Sequence, residues 1–124
     1  MARSQARSKR KASGGRYRKI VGKIKSELAR PTSQTKLAER KGKTLRIKGG
    51  NIKKLLLSAD EINITDKKGK TQKTKILNVL ENPANPNLVR RNIITKGAIV
   101  ETKLGKVKIT SRPGQEGNLS GIMI

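Results

Sequence analysis

Short alternations of hydrophobic and polar positions run through the second half of the chain. Leu45 and Ile47 alternate with Arg46 and Lys48 ahead of Gly49-Gly50-Asn51, and Ile62 and Ile64 alternate with polar neighbours ahead of Asp66-Lys67-Lys68-Gly69. A period of two that stops at glycine-rich turns predicts strands ending at both places. Residues 73–80 carry Ile76, Leu77, Val79 and Leu80 in a nearly continuous apolar run, which predicts a strand buried on both faces and paired with residues 61–65 as a hairpin. Asn82-Pro83-Ala84-Asn85-Pro86-Asn87 reads as a loop, since two prolines fit neither a helix interior nor a central strand. Residues 99–102 and 106–110 flank a turn containing Gly105 as a second hairpin, and Arg112-Pro113-Gly114 opens a loop before a last strand at 119–124. With no long helical pattern between them, these segments predict an all-β fold, a small antiparallel barrel-like domain.

Upstream the pattern changes. Residues 1–44 hold five of the 29 Leu, Ile and Val residues but 15 of the 31 Lys and Arg, with two acids, for a charge of +13. So few aliphatic groups under such self-repulsion do not offset a backbone entropy cost of about 1–2 kcal/mol per residue. A basic, mostly extended N-terminal tail over 1–44, ordering on a partner, and a globular domain over 45–124 are therefore predicted. Within the tail, Ile20, Val21, Ile24 and Leu28 fall on one helical face before Pro31, which predicts an amphipathic turn weakened by Gly22.

Composition narrows the chemistry. The 124 residues contain no Cys, His, Trp or Phe, which excludes disulfide frameworks, thiolate or imidazole metal sites and histidine-dependent triads. Neither a metal nor a cofactor is expected. Gly42-Lys43-Thr44 and Gly69-Lys70-Thr71 end like phosphate-cradling loops, but the glycine that motif requires is replaced by Leu37 and Ile64. Asp60 and Glu61 are the one close pair among eight acids, and neighbours on a strand point to opposite faces. No enzyme and no small-molecule substrate is expected. The longest uninterrupted run of Leu, Ile and Val is Leu55-Leu56-Leu57, so neither a membrane span nor membrane association is expected. The Arg- and Ser-rich start resembles a transit peptide only superficially, and cysteine-free composition is compatible with a reducing cytoplasm.

What remains is a net charge of +23, which points to a polyanion. Gly14-Gly15 precede Arg16, Tyr17, Arg18 and Lys19, bringing an unhindered backbone, three cations and the one aromatic ring into six residues. Arginine forks match phosphate oxygens, and a tyrosine stacks on an unpaired base. Arg3, Arg7, Lys9, Arg10 and Lys11 before this cluster, and Lys23, Lys25 and Arg30 after it, extend the candidate RNA-binding set along the tail. Arg90, Arg91, Lys96 and Arg112 complete it on or beside loops of the folded half, where a scaffold fixes their spacing. A single aromatic and the absence of a zipper, zinc-finger or helix-turn-helix pattern favour a structured RNA read by shape and phosphate over single strands or DNA.

Several runs resemble a known family. Gly14-Gly15-Arg16-Tyr17-Arg18, Asn82-Pro83-Ala84-Asn85, the stretch from Val89 to Ala98, and Glu101-Thr102-Lys103-Leu104-Gly105 through Thr110-Ser111-Arg112-Pro113-Gly114-Gln115 are similar to the S8e family of small-subunit ribosomal proteins of archaea and eukaryotes. Lacking the large central insertion of eukaryotic members, the chain looks like the archaeal form. It departs from the family's Leu-Gly pairs at Leu28-Ala29 and Leu37-Ala38. The resemblance implies a structural ribosomal protein in the cytoplasm, bound to small-subunit rRNA beside neighbouring subunit proteins and not a homo-oligomer. An assembly-factor family sharing the C-terminal domain is the alternative it leaves, with a DNA-condensing protein as the other.

Overall fold

The turn at Asp66–Gly69 sets the architecture of the folded part. Asp66 N–H donates to the Lys70 carbonyl at 2.9 Å and Gly69 N–H to the Asp66 carbonyl at 2.9 Å, reversing the chain between two strands of the barrel. The computed structural model describes residues 4–5, 7–18, 21–66 and 68–124, divided into two compact units, 1–32 and 33–124. That division lies upstream of the composition break at residue 44.

In the second unit the strands are β1 (Thr35–Lys36), β2 (Lys41–Arg46), β3 (Ile52–Ser58), β4 (Glu61–Thr65), β5 (Thr71–Glu81), β6 (Ile93–Ile94), β7 (Ile99–Thr102), β8 (Gly105–Ile109) and β9 (Ser120–Met123). A one-turn helix, α1 (Pro113–Glu116), occupies what the sequence reads as a loop. The order β4-β5-β7-β8-β9 closes into a barrel. Four of its pairings are antiparallel, and the closing pair, β9 on β4, is parallel with Asn63 opposite Ser120. The all-β, barrel-like expectation therefore holds, as do both hairpins. A separate sheet has the order β2-β3-β1-β6. One of its two shortest members, β1, is pinned by Thr35, whose buried hydroxyl donates to the Leu56 carbonyl at 2.8 Å.

Alternation in β4, β7 and β8 sends Ile62, Ile64, Val100, Val107 and Ile109 inward, where they join Leu56, Ala59, Ile94, Ala98 and Leu119. Each fully buried aliphatic stabilises the fold by about 1.5–3 kcal/mol. The reading of residues 73–80 as buried on both faces is corrected: Ile76 and Val79 are buried, but Leu77 is 55% exposed. A five-stranded barrel has one interior. Two register shifts in the β5–β7 pairing, one between Ile76 and Asn78 and one between Val79 and Glu81, reset the alternation so that inward residues fall three apart.

In the first unit, Ser4 bridges Leu28, and Gln5 N–H donates to the Glu27 carbonyl at 2.7 Å. The predicted amphipathic turn yields a 3₁₀ turn at Lys25–Glu27, with Val21 and Ile24 exposed. Ile24 itself is extended, which ends the helical period. Ile20 lies outside the described residues.

Candidate nucleic-acid interface

Gly14, at φ +83°, lets the chain reverse within the first unit. Lys11 N–H donates to the Gly15 carbonyl at 2.7 Å, Gly14 N–H to the Lys11 carbonyl at 3.0 Å, and Tyr17 N–H to the Lys9 carbonyl at 2.9 Å. Arg10 and Arg16 pair as an antiparallel bridge. The result is a tight loop carrying Lys9, Arg10, Lys11, Gly14, Gly15, Arg16 and Tyr17, all exposed. The Arg7 guanidinium lies 4.3 Å from the centre of the Tyr17 ring, and the Lys11 ammonium 5.7 Å from it. Tyr17 thus gathers cations as well as offering a ring, at about 0.5–1 kcal/mol for an exposed cation–π contact. Arg18, Lys23, Lys25 and Arg30 are exposed further along. Arg3 and Lys19 lie outside the described residues.

The second unit holds Arg90 and Arg91 on a 3₁₀ segment, Pro86–Arg91. Asn85 starts it, its side-chain oxygen accepting the Asn87 N–H at 2.9 Å, and Asn92 ends it in the left-handed region at φ 49°. Beneath lies Asn82, buried, whose Oδ1 accepts from Ala84 N–H at 3.1 Å and from the Thr95 hydroxyl at 3.0 Å, while its Nδ2 donates to the Ile93 carbonyl at 3.4 Å. One polar side chain therefore ties the arginine-bearing loop to the turn of Lys96. Arg112 differs: its Nε lies 3.5 Å from Glu116, and its backbone N–H donates to the same carboxylate at 3.2 Å. Part of its charge is met within the first turn of α1.

Sequence reading passed over a further basic element. Lys41, Lys43, Arg46, Lys48, Lys53 and Lys54 are exposed on β2, β3 and the turn between them. The available signal was the absence of acid: residues 40–54 hold seven Lys or Arg and no Asp or Glu. Two carboxylates elsewhere form solvent-accessible pairs, Glu61 with Lys73 and Asp60 with Lys75, each contributing about 0–1 kcal/mol. Among the described residues no three acidic side chains gather into a possible metal site. The Gly42-Lys43-Thr44 segment lies within β2, and Gly69-Lys70-Thr71 spans the β4–β5 turn, so neither wraps an anion with successive amides.

Comparison with known proteins matches residues 4–124 to the family described as Ribosomal protein S8e. Three curated relatives named small ribosomal subunit protein eS8 illustrate the similarity. That of Methanobrevibacter smithii is 53% identical over 125 residues, covering 100% of both chains. That of Methanococcus aeolicus is 48% identical, covering 97% of this chain and 95% of the relative, and that of Nanoarchaeum equitans is 50% identical with the same coverage.

Proposed function

Because the chain belongs to the ribosomal protein S8e family, we propose that it is a structural constituent of the small ribosomal subunit that binds and stabilises folded small-subunit rRNA. The charge balance carries this reading. Even if each of the eight acids neutralised one cation, 23 of the 31 Lys and Arg would remain, and the chain's own carboxylates cannot supply their counter-charge. RNA phosphates do. Neutralising them releases condensed counterions and relieves the repulsion between packed RNA helices.

Residues 1–44 act as the RNA-binding extension, anchored at its end because β1 and the first part of β2 belong to the sheet of the second unit, and residues 45–124 dock by shape. In the first role the loop around Gly14 presents Arg10, Lys11 and Arg16 at short spacing; in the second, the clamp at Asn82 holds Arg90, Arg91 and Lys96 in a fixed pattern, as readout by shape and phosphate requires. The partners are small-subunit rRNA and neighbouring subunit proteins on the cytoplasmic ribosome. Among the described residues no helix is long and apolar enough to cross a membrane.

Sedimentation of a native lysate through a sucrose gradient in moderately high salt tests the proposal. The protein is expected to track mature small subunits at one copy each. Confinement to precursor or large-subunit particles would instead identify an assembly factor, and residence with the nucleoid a DNA-binding protein. With isolated rRNA, affinity is expected to fall about a thousandfold or more between 50 and 200 mM salt if roughly 6–10 phosphates are contacted; a flat response would exclude phosphate neutralisation.

A further inference from the structure

The β2–β3 ribbon carries its cations on both faces. Directly opposed residues of an antiparallel pair share a face. Lys43 stands opposite Leu55 and Leu45 opposite Lys53, so Lys43 and Lys53 form a diagonal pair on one face. Thr44 stands opposite Lys54 and Arg46 opposite Ile52, which sets Arg46 and Lys54 diagonally on the other. A ribbon lying on a core has one buried and one exposed face. Here Lys43, Thr44, Arg46, Lys53 and Lys54 are exposed and Ile52 is 62% exposed, while Leu45 and Leu55 are only half-buried; the ribbon enters the core at its base, through Leu56 opposite Gly42, and beyond that point neither face is covered.

The helix α1 leaves both faces open, because it packs along the edge of β3. The Lys53 ammonium donates to Gln115 Oε1 at 3.2 Å, and a Cβ on Gly117 would stand 2.7 Å from Lys54 Cβ. Successive strand residues point to opposite faces, so a segment reaching both lies at the edge. Among the described residues that edge makes no strand pairing before Ser58 meets β1, where the Leu56 carbonyl also accepts the Thr35 hydroxyl. The ribbon is thus braced from the side while both charged faces remain available.

We infer that this ribbon is a two-sided wedge that enters a crevice walled by RNA phosphates on both sides, where two backbones converge. The inference rests on the reading of the chain as an rRNA-binding protein. Cations on one face suit the flank of a single helix; cations on both faces are all used only between two anionic walls. A single two-stranded layer with side chains on each face, about 10 Å thick by the face-to-face spacing of stacked sheets, is thin enough to lie between converging backbones. It supplies charge to each, while Leu45, Leu55 and Ile52 meet sugar surfaces instead of phosphate.

The chain contains no Cys, so a single introduced thiol can carry an iron chelate that cleaves nearby RNA backbone. Thr44→Cys probes one face, Leu45→Cys the other, and Ser13→Cys the N-terminal loop, each in the full chain bound to in-vitro transcribed small-subunit rRNA. The wedge is expected to produce cuts in two separate backbone tracts, one from Thr44→Cys and another from Leu45→Cys. Cuts in a single tract, or from one face alone, would overturn it. If Ser13→Cys cuts while neither ribbon thiol does, the wedge is wrong and rRNA binding stands; if none cuts and rRNA is not retained, the underlying reading fails. An independent measurement needs no thiol. Substituting Gln at Lys43 and Lys53, at Arg46 and Lys54, or at all four is expected to lower the slope of log affinity against log salt by about 0.7–0.9 per phosphate contact removed. Both double variants should contribute, and no change from either pair would also overturn the wedge.

Discussion

Asn82 and Thr95, thirteen positions apart, are joined by a 3.0 Å side-chain hydrogen bond that couples the Arg90–Arg91 segment to the turn of Lys96. The asparagine is 4% exposed and also serves Ala84 and Ile93. Replacing it by leucine, of similar size, removes the partner of the Ala84 N–H, the Thr95 hydroxyl and the carbonyl of buried Ile93. Asn82→Leu is expected to cost about 1–3 kcal/mol for each group that finds no new partner, lowering the thermal midpoint and weakening rRNA binding together. Asn82→Asp keeps the acceptor but buries a charge, so its midpoint is expected to fall further.

A methyl group distinguishes the barrel seam from its turns. At Gly121 an added Cβ would stand 2.5 Å from Val107 Cγ1 and 2.9 Å from the Lys108 carbonyl oxygen, between two paired strands that cannot separate independently. At Gly69 nothing lies within 4 Å, and the cost is that of φ +80° alone. Urea unfolding is expected to show a loss of about 2–3 kcal/mol for Gly121→Ala against about 1 kcal/mol for Gly69→Ala. Equal losses would mean that the seam between β8 and β9 yields.

Binding and folding are expected to separate in a third pair of variants. Arg16→Ala with Arg18→Ala removes two exposed cations. It should weaken rRNA association about tenfold or more, corresponding to about 1.5 kcal/mol for one lost charged contact, without moving the thermal midpoint. Ile94, 1% exposed within the core, is a different matter. Ile94→Asp combines a lost aliphatic side chain with an unpaired buried carboxylate and is expected to unfold a domain whose total stability is about 5–15 kcal/mol. Circular dichroism melts alongside rRNA filter binding measure both quantities, and a comparable loss of structure in the two variants would place Arg16 and Arg18 among the folding determinants.

Local chemistry made much of this fold legible. The hairpins β4–β5 and β7–β8 announce themselves because Gly69 and Gly105 mark turns beside regular alternation. What escaped was decided at a distance. A two-residue strand such as β1 has no period to detect, and its position follows from the bond between Thr35 and Leu56. In β5 the bulges reset the alternation, so an apolar run that looks doubly buried leaves Leu77 outside. The basic loop around Tyr17 was visible as a motif because its residues are contiguous. The cations of β2 and β3 were not, since alternation with Leu45 and Ile47 is also the pattern of an ordinary half-buried strand; their exposure on both faces depends on where the remaining strands close.

The parallel seam of the barrel also imposes an order on synthesis. β4 waits for β9, whose Ser120 pairs with Asn63, and at roughly 5–20 residues per second the intervening 57 residues (120 − 63) take about 3–11 s to appear. During that interval one side of β4 is an unpaired template for other chains. The excess of positive charge in the chain makes emerging copies repel one another, so the cations proposed to hold RNA would first keep the unfinished barrel from aggregating.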